Sequence, residues 1–265
     1  MPSIIHDTAI VSPKAELGEN IYIGPYSTIG AGVKLGDNCR LESHVSLTGN
    51  VTMGNDNHLS PFVTMGHPPQ DFKHKGGEVG IIIGNRNKFR EYANVHPGTD
   101  VGKPNTIIGN DCYMMVGTHC AHECILGDHV ILSNSVQIGG AVTIGDYAIL
   151  GGVSAVHQFT RIGAHAFIGG MAMVTADVIP YGSVFGNHAR LAGLNIIGLR
   201  RRGFDRDAIM KLRTAYRLLF ADEGTFAQRL EDVERLYGEH ELVKEILAFI
   251  HQQDKRNICM PGQKD

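Results

Sequence analysis

Residues 126–168 read LGDHVILSNSVQIGGAVTIGDYAILGGVSAVHQFTRIGAHAFI, and every sixth residue from Leu126 is apolar. The same step of six continues on both sides of this stretch. The whole run consists of Ile108, Met114, Cys120, Leu126, Leu132, Ile138, Ile144, Leu150, Val156, Ile162, Ile168 and Val174. Because 43% of the chain is hydrophobic, twelve hits in one chosen phase have a chance probability of about four in a hundred thousand. The six-residue period is therefore a property of the fold.

Two further runs with the same step precede this one. The longer run contains Ile5, Val11, Leu17, Ile23, Ile29, Leu35, Leu41, Leu47, Met53, Leu59 and Met65, and the shorter contains Ile83, Phe89 and Val95. A helix repeats every 3.6 residues and a simple strand every two, whereas a short flat strand followed by a corner repeats every six. Three such strands close one triangular turn. Residues 18 apart then stack at one strand spacing, about 4.8 Å.

The repeated apolar residue must point inward, because the narrow prism has to exclude water. Glycine, Asn and Asp, as in Gly36-Asp37-Asn38 and Gly127-Asp128, are expected at the corners, where a positive φ favours these residue types. The pattern predicts an all-β parallel β-helix. It resembles the hexapeptide-repeat proteins, and this resemblance implies the left-handed form, an exception to the usual right-handed crossover.

The repeat ends near residue 180, where the character of the sequence changes. We expect a β-helix over residues 1–190, with loop insertions near 66–82 and 96–107. A small C-terminal α-helical domain is expected over residues 191–265.

Three helices are predicted in that C-terminal part. Asp205 is a suitable N-cap for an apolar stripe that begins at Ile209. Thr225 with Gln228 fits a capping box that opens a second helix, and residues 242–250 supply a third.

Composition excludes several classes of protein. The formal net charge is -3 and no long apolar run occurs, so no membrane span is expected. No basic segment with an apolar core opens the chain, so we expect a cytoplasmic protein without a signal peptide. No domain-wide basic face is visible in the sequence, so nucleic-acid binding is not expected. The five cysteines are an odd number without a secreted-domain pattern, which favours free structural thiols.

Insertions into a repeating coil map to loops that often line a binding face. The first insertion reads GHPPQDFKHKGGEVGII, and the second contains HPGTDVGKPN. Either can be a plain loop. The first nevertheless concentrates Asp71, Lys73, His74 and Lys75 behind a rigid Pro-Pro pair, which suits a polar or phosphorylated ligand.

Stacking arithmetic brings further polar residues together on one edge. His122, Gly140 and Gln158 are each 18 residues apart and should form one column, with Gly140 leaving the backbone bare. His119 and His157 should face outward beside the same edge. A neutral imidazole there can remove a proton from an attacking hydroxyl, and the Gly140 amide can donate to the resulting oxyanion. Glu123 can hold the other imidazole nitrogen or be merely solvated.

Clustered histidines also suggest metal. The set His119, Cys120, His122 and Cys124 resembles zinc ligands, but Cys120 lies on the inward position and cannot converge with His122. We therefore expect no metal. No G-x-S-x-G elbow occurs and no cysteine is suitably placed, which favours direct acyl transfer over a covalent acyl-enzyme.

Four longer motifs carry a more specific resemblance. PQDFKHKGGE, THCAHECILG, AVHQF with IGAHAFIGG, and GNHARLAGLNIIGLRRRGF resemble the UDP-N-acetylglucosamine O-acyltransferases that begin lipid A synthesis in Gram-negative bacteria. The resemblance extends along nearly the whole chain. It implies a homotrimer with active sites between neighbouring coils, and an (R)-3-hydroxyacyl group transferred from acyl carrier protein to the 3-hydroxyl of a UDP-sugar. The donor is a carrier-protein thioester, so no cofactor is expected.

The resemblance also assigns roles to single residues. His122 matches the general base and Gly140 the oxyanion amide. Gly170 falls where the family sets acyl length, and its open floor suggests a longer chain. The positions that match substrate contacts are Asp71, Lys73, His119, His157 and Gln158 for the sugar nucleotide and neighbouring substrate groups, and Asn195, Arg201 and Arg202 for the nucleotide and diphosphate.

Two positions depart from well-studied members of the family. Ala141 stands where a histidine often occurs, and Ile197 where a nucleotide-contacting glutamate often occurs. These departures keep open an acceptor with a 3-amino group, which would give an amide. A sister class that acylates a glucosamine nitrogen has an additional N-terminal domain, whereas here the hexads begin at Ile5. A non-catalytic β-helix scaffold is the alternative from another functional class, and it predicts an undecorated outer face.

Overall fold

The computed structural model describes residues 2–252 and 255–262, and most of this chain forms short parallel strands. The strands are β1 (Ile4–Ile5), β2 (Ile10–Val11), β3 (Glu16–Leu17), β4 (Tyr22–Ile23), β5 (Thr28–Ile29), β6 (Val33–Leu35), β7 (Arg40–Leu41), β8 (Ser46–Leu47), β9 (Asn50–Met53), β10 (His58–Leu59), β11 (Thr64–Met65), β12 (Gly80–Ile83), β13 (Lys88–Phe89), β14 (Asn94–Val95), β15 (Asn105–Ile108), β16 (Tyr113–Met114), β17 (His119–Cys120), β18 (Ile125–Leu126), β19 (Ile131–Leu132), β20 (Gln137–Ile138), β21 (Thr143–Ile144), β22 (Ile149–Leu150), β23 (Ala155–Val156), β24 (Arg161–Ile162), β25 (Phe167–Ile168), β26 (Met173–Val174), β27 (Gly182–Phe185) and β28 (Arg190–Leu194).

From β1 to β26 every third strand belongs to the same sheet, so the chain winds around a triangular prism. Sheet A runs from β1 through β4 and β7 to β25, β27 and β28; sheet B runs from β2 to β26; and sheet C runs from β3 to β24. All pairs are parallel except the β27–β28 hairpin. The protein is a left-handed parallel β-helix with a small helical C-terminal part, as the sequence predicts.

The repeated apolar residues fill the interior of the prism. Leu132, Ile144 and Val156 lie on sheets A, C and B in turn, and each is almost completely buried. Register follows the expected spacing, since Ile131 pairs with Ile149 and Leu132 with Leu150. Burial of each such side chain contributes about 1.5–3 kcal/mol relative to exposure, so the hexad supplies both the register and the core.

The expectation for the corners is only partly right. The left-handed conformation falls three residues after the repeated apolar residue, and bulky side chains such as Tyr92 (φ 62°) and Phe159 (φ 63°) adopt it there. The cost of this backbone is about 1–2 kcal/mol per residue. Backbone hydrogen bonds between coils offset this cost; the N–H of Phe159, for example, donates to the Gly140 carbonyl on the coil before it, at 3.0 Å.

The glycine after the apolar residue serves a different purpose, which is close approach between coils. A Cβ on Gly127 would lie 2.0 Å from Oδ1 of Asp146 on the next coil, so no side chain fits. That oxygen accepts the backbone N–H of Asp128 at 2.8 Å. The contact repeats as a ladder of Asx side chains down one edge, formed by Asp37, Asn55, Asn85, Asn110, Asp128 and Asp146.

Both insertions leave the prism at the same edge, where sheet B meets sheet C; we call this the B–C edge. The first loop covers residues 66–79, between β11 and β12. The second covers residues 96–104, between β14 and β15. Strands β12 and β15 begin inside the ranges expected from sequence, because their first residues still pair with the coils on either side.

The C-terminal part forms four helices packed against the end of the coil. They are α1 (Ile196–Arg201), α2 (Arg206–Leu219), α3 (Phe226–Tyr237) and α4 (Glu241–His251). The Asp205 cap and the Thr225–Gln228 capping box are confirmed, whereas sequence reasoning missed α1 and the hairpin before it. The chain then returns to the coil, where Ile258 bridges Asp177. Within residues 2–252 and 255–262, no helix has the length and apolarity needed to cross a bilayer.

Candidate active site

The column predicted from the 18-residue spacing lies on the B–C edge. The N–H of Ala141 donates to the His122 carbonyl at 2.8 Å, and Phe159 makes the equivalent bond to Gly140, so three coils stack in register. The His122 imidazole lies directly over Gly140: an added Cβ at residue 140 would be 2.4 Å from Cε1 and 2.6 Å from Nε2. Glycine is therefore required for the ring to occupy this position.

Gly140 also presents a backbone donor. Its neighbours Gly139 and Ala141 both donate their N–H groups to carbonyls of adjacent coils, whereas the Gly140 N–H finds no acceptor among the residues that the structure describes. A buried, unused N–H beside an imidazole is a ready donor for an oxyanion. The base and the donor that the sequence predicts thus lie side by side.

Two carboxylates flank the imidazole. Glu123 Oε1 is 3.3 Å from His122 Nδ1, and both side chains are largely buried, with 14% of His122 and 11% of Glu123 exposed. Because an ionised carboxylate only accepts, Nδ1 carries the proton and Nε2 keeps its lone pair. Asp71 from the first insertion joins them, its carboxylate lying within 4.8 Å of ligand atoms of both residues.

His119 lies on the outer face of sheet B and is held in one tautomer. Its Nδ1 is 2.8 Å from Oδ1 of Asn94, whose amide nitrogen donates to Thr64 Oγ1 at 2.7 Å. Nδ1 is therefore the donor and Nε2 is free to accept. Burial lowers the pKa of His119, and it lowers that of the neighbouring His96 to about 4, with smaller contributions from the nearby histidines, so burial favours neutral rings at neutral pH.

His157 and Gln158 extend the column by one coil, and the C-terminal tail reaches them. Arg256 donates to His157 Nδ1 at 2.6 Å and to the Gln158 carbonyl at 3.0 Å. The Lys255 ammonium lies 4.5 Å from the centre of the Phe159 ring. Sequence reasoning missed these two cations, because nothing in the tail marks a contact with a coil almost a hundred residues earlier.

Lys73 projects into solvent from the first insertion, where its N–H donates to the Asp71 carboxylate at 2.8 Å. It is the exposed cation of the predicted sugar-nucleotide group, two residues from the carboxylate that approaches His122. The loop thus presents one positive and one negative group at the B–C edge.

Asn195, Arg201 and Arg202 lie elsewhere. They line a cavity of about 560 Å³ on the outer face of sheet A, together with Phe167 and Phe185. In a triangular prism that face lies opposite the B–C edge, so one protomer does not bring these residues to His122. Asn195 also has a structural role: its Oδ1 accepts the Gly198 N–H and caps α1, and its Nδ2 donates to the His165 carbonyl.

Comparison with known proteins identifies the chain's relatives. A family model described as Udp N-acetylglucosamine O-acyltransferase, domain 2, matches residues 177–259. An acyl-[acyl-carrier-protein]--UDP-N-acetylglucosamine O-acyltransferase from Thermodesulfovibrio yellowstonii is 42% identical over 96% of this chain and 98% of its own. The chain belongs to the UDP-N-acetylglucosamine O-acyltransferase family. It is an acyltransferase.

Two further members of the family show how far the similarity extends. The enzyme of the same name from Caulobacter vibrioides is 57% identical over 201 residues, 76% of each chain. The solved UDP-N-acetylglucosamine acyltransferase from Francisella novicida superposes with a TM-score of 0.94 at 33% identity, covering 98% of this chain and 95% of the other.

The structure also locates the two positions that the sequence analysis sets apart from well-studied members of the family, Ala141 and Ile197, and the predicted acyl-length position, Gly170. Ala141 has its Cβ on a left-handed corner residue (φ 55°) and adds no polar group beside Gly140. Ile197 is exposed at the rim of the sheet A cavity. Gly170 is exposed, and an added Cβ would approach only the Gly152 backbone, 3.3 Å from its oxygen.

The acyltransferase offers no thiol nucleophile at this edge. Cys120 and Cys124 are fully buried in the prism, and the contact with the Cys124 sulfur, together with burial, raises the pKa of the Cys120 thiol well above its usual value. The four-residue zinc set therefore does not converge. In the described part of the chain, the side chains that approach cation-binding geometry are Asp71, His122 and Glu123, and the absence of a metal stays a prediction.

Proposed function

We propose that the chain transfers an (R)-3-hydroxyacyl group from acyl carrier protein to the 3-hydroxyl of UDP-N-acetylglucosamine, in lipid A synthesis. The observation that carries this proposal is the His122 imidazole lying on the bare Gly140, whose N–H has no acceptor in the described chain. The family relatives named for this reaction support the substrates. No covalent acyl-enzyme and no cofactor enter the proposed reaction.

The proposed chemistry follows from which atoms are free. The sugar hydroxyl gives its proton to His122 Nε2 while its oxygen attacks the thioester carbonyl. The developing oxyanion accepts the Gly140 N–H, a contribution of about 3–4 kcal/mol for one such donor. When the C–S bond breaks, the imidazolium returns the proton to the departing thiolate. Glu123 stabilises the imidazolium through Nδ1 at 3.3 Å.

We further propose that the active unit is a homotrimer. The sheet A cavity with Asn195, Arg201 and Arg202 lies across the prism from His122, so the nucleotide and the reacting hydroxyl of one substrate must be held by two protomers. Arg201 is exposed and free to meet a diphosphate. Arg202 is committed in part, since it donates to the Tyr147 carbonyl at 2.8 Å, and burial lowers its pKa.

The remaining site residues take the roles suggested by resemblance. Asp71 and Lys73 contact the sugar nucleotide, and His119 makes a further contact with the substrates near His122. His157 and Gln158 contact the neighbouring part of the substrates. Gly170 leaves the path of the acyl chain open for a longer chain.

We propose that acyl carrier protein docks on the helical part of the chain through an acidic surface. Arg200, Arg206 and Arg213 line a cavity of about 500 Å³ on the helical part, with Ile209 and Met210 as its apolar floor. Three fixed cations around an apolar floor suit an acidic helical partner, which they steer at low salt.

The proposal is tested by assay with carrier-protein thioesters of several acyl lengths and two acceptors, UDP-N-acetylglucosamine and its 3-amino analogue, with products identified by mass. We expect an ester with the first acceptor and a loss of more than about a thousandfold in kcat for His122→Ala. If only the 3-amino analogue reacts, giving an amide, the acceptor is the amino sugar and not UDP-N-acetylglucosamine. Unchanged activity in His122→Ala would reject it, and no activity with either acceptor would favour the scaffold.

A further inference from the structure

The second insertion, residues 96–104, closes over the carboxylate that pairs with His122. Thr99 is fully buried at the tip of this loop, and its hydroxyl donates to Oε1 of Glu123, the same oxygen that faces His122 Nδ1. The Thr99 N–H donates to the Lys103 carbonyl at 2.9 Å, which closes the loop into a tight turn. The loop therefore aims one hydroxyl at one carboxylate oxygen.

A glycine of the same loop packs against this carboxylate. A Cβ on Gly102 would lie 2.3 Å from Oε2 and 2.6 Å from Cδ of Glu123, so the bare backbone packs directly on the carboxylate. The Glu123 backbone adopts a left-handed conformation (φ 65°), and its N–H donates to Thr106 Oγ1 at 2.9 Å. Two hydrogen bonds and one packing contact from residues 99–106 thus hold the backbone and the carboxylate of Glu123.

We propose that Thr99 is a positioning residue for the reaction: its hydroxyl holds Glu123 Oε1 against His122 Nδ1, so that the imidazole presents Nε2 to the acceptor. This inference rests on the proposed function, in which His122 is the base. A carboxylate oriented by a second donor keeps its partner imidazole in one tautomer and one orientation. Without the hydroxyl, the Glu123 side chain can rotate away from the imidazole.

Thr99→Val and Thr99→Ser separate this role from packing. Valine keeps the shape and removes the hydroxyl, and we expect kcat about tenfold lower with KM within about twofold, together with an acidic limb of the pH profile of kcat/KM that moves to lower pH. Serine restores the hydroxyl and should recover most of kcat. If Thr99→Ser is as slow as Thr99→Val, the methyl group and not the hydroxyl matters, and the inference is wrong.

The matched control is Thr118→Val. Thr118 is also a buried threonine, but its hydroxyl has no partner in the described part of the chain, so valine there should leave kcat and the pH profile unchanged. Should Thr99→Val fail to fold, Gly102→Ala puts a Cβ 2.3 Å from Oε2 of the same carboxylate and should displace it while leaving the Thr99 hydroxyl in place. Unchanged kcat and an unchanged His122 tautomer in Gly102→Ala would overturn the inference.

A readout without turnover keeps the inference distinct from the proposed function. In ¹⁵N-histidine spectra of the whole protein, His122 should be protonated at Nδ1 in the parent and in Thr99→Ser, and should become a mixture of tautomers in Thr99→Val. An unchanged Nδ1 tautomer in Thr99→Val would overturn the role of Thr99 even if acyl transfer is confirmed. If Thr99→Val loses that tautomer but His122→Ala keeps the activity of the parent, the proposed function is rejected and the positioning role of Thr99 stands.

Discussion

Gly140→Ala moves the imidazole without removing any catalytic atom. The new Cβ would lie 2.4 Å from His122 Cε1, whereas ordinary contact begins near 3.4 Å, so the ring must retreat by about 1 Å. A misplacement of about 1 Å costs about 100-fold in rate, which corresponds to about 2.7 kcal/mol of transition-state stabilisation. We expect that loss in kcat.

The rest of the site should survive this substitution. The backbone of Gly140 is outside the left-handed region, so alanine adopts it without strain. The N–H proposed for the oxyanion is retained, and the three atoms nearest the new Cβ all belong to the His122 ring, so the clash is relieved by moving that side chain and not the backbone. The unfolding midpoint should therefore change little while turnover falls.

The assay compares Gly140→Ala, His122→Ala and the double variant under one set of substrate concentrations. If alanine acts by displacing the ring, it has nothing left to displace once His122 is gone, so the double variant should be as slow as His122→Ala and no slower. Two losses that multiply would show that Gly140→Ala acts independently of the imidazole. A Gly140→Ala enzyme within about threefold of the parent would refute the placement of the ring itself.

Three further predictions address the loops, the histidines and the helices. Asp100→Ala removes the carboxylate that accepts the Lys75 N–H at 3.1 Å and that also holds other groups of the first insertion. KM for the sugar nucleotide should rise about tenfold, with a smaller change in kcat. An unchanged KM would contradict this prediction. Burial lowers the pKa of His96 and His165 to about 4, so between pH 6.5 and 4 the unfolded chain binds more protons than the folded one. The free energy of unfolding should therefore decrease as the pH is lowered through this range, by up to about 3 kcal/mol for each histidine. In His165→Phe, thermal unfolding should depend less steeply on pH. Thr225→Ala removes the cap of α3 and should lower the free energy of unfolding by about 1 kcal/mol in denaturant titration, with activity unchanged.

The period of six made the column on the B–C edge predictable, because a fixed step converts sequence distance into position. His122 and Gly140 could be placed together without coordinates for this reason alone. Thr99 and Arg256 could not, since a loop and a tail have no repeat from which to count. Their contacts with Glu123 and His157 depend on how each segment folds back.

Residue type alone does not show which of two roles a position fills. An asparagine before a short helix can bind a ligand or cap the helix, and Asn195 uses both ends of its amide within the protein. The corner glycines suggested a need for positive φ, but Gly127 is required by the close approach of Asp146, and the left-handed residue two positions later is His129. A sequence shows that a small residue is present and does not show which steric demand selects it.

The Asx ladder has a consequence for how this scaffold can be altered. Its rungs are 18 residues apart in the regular coils, yet 30 apart from Asn55 to Asn85 and 25 apart from Asn85 to Asn110, with the same side-chain geometry throughout. Each excursion of the chain is thus absorbed within a single turn, and the turns beyond it are not displaced. Loops of different length can therefore replace one another at the B–C edge, and the spacing between the coils of the solenoid stays the same.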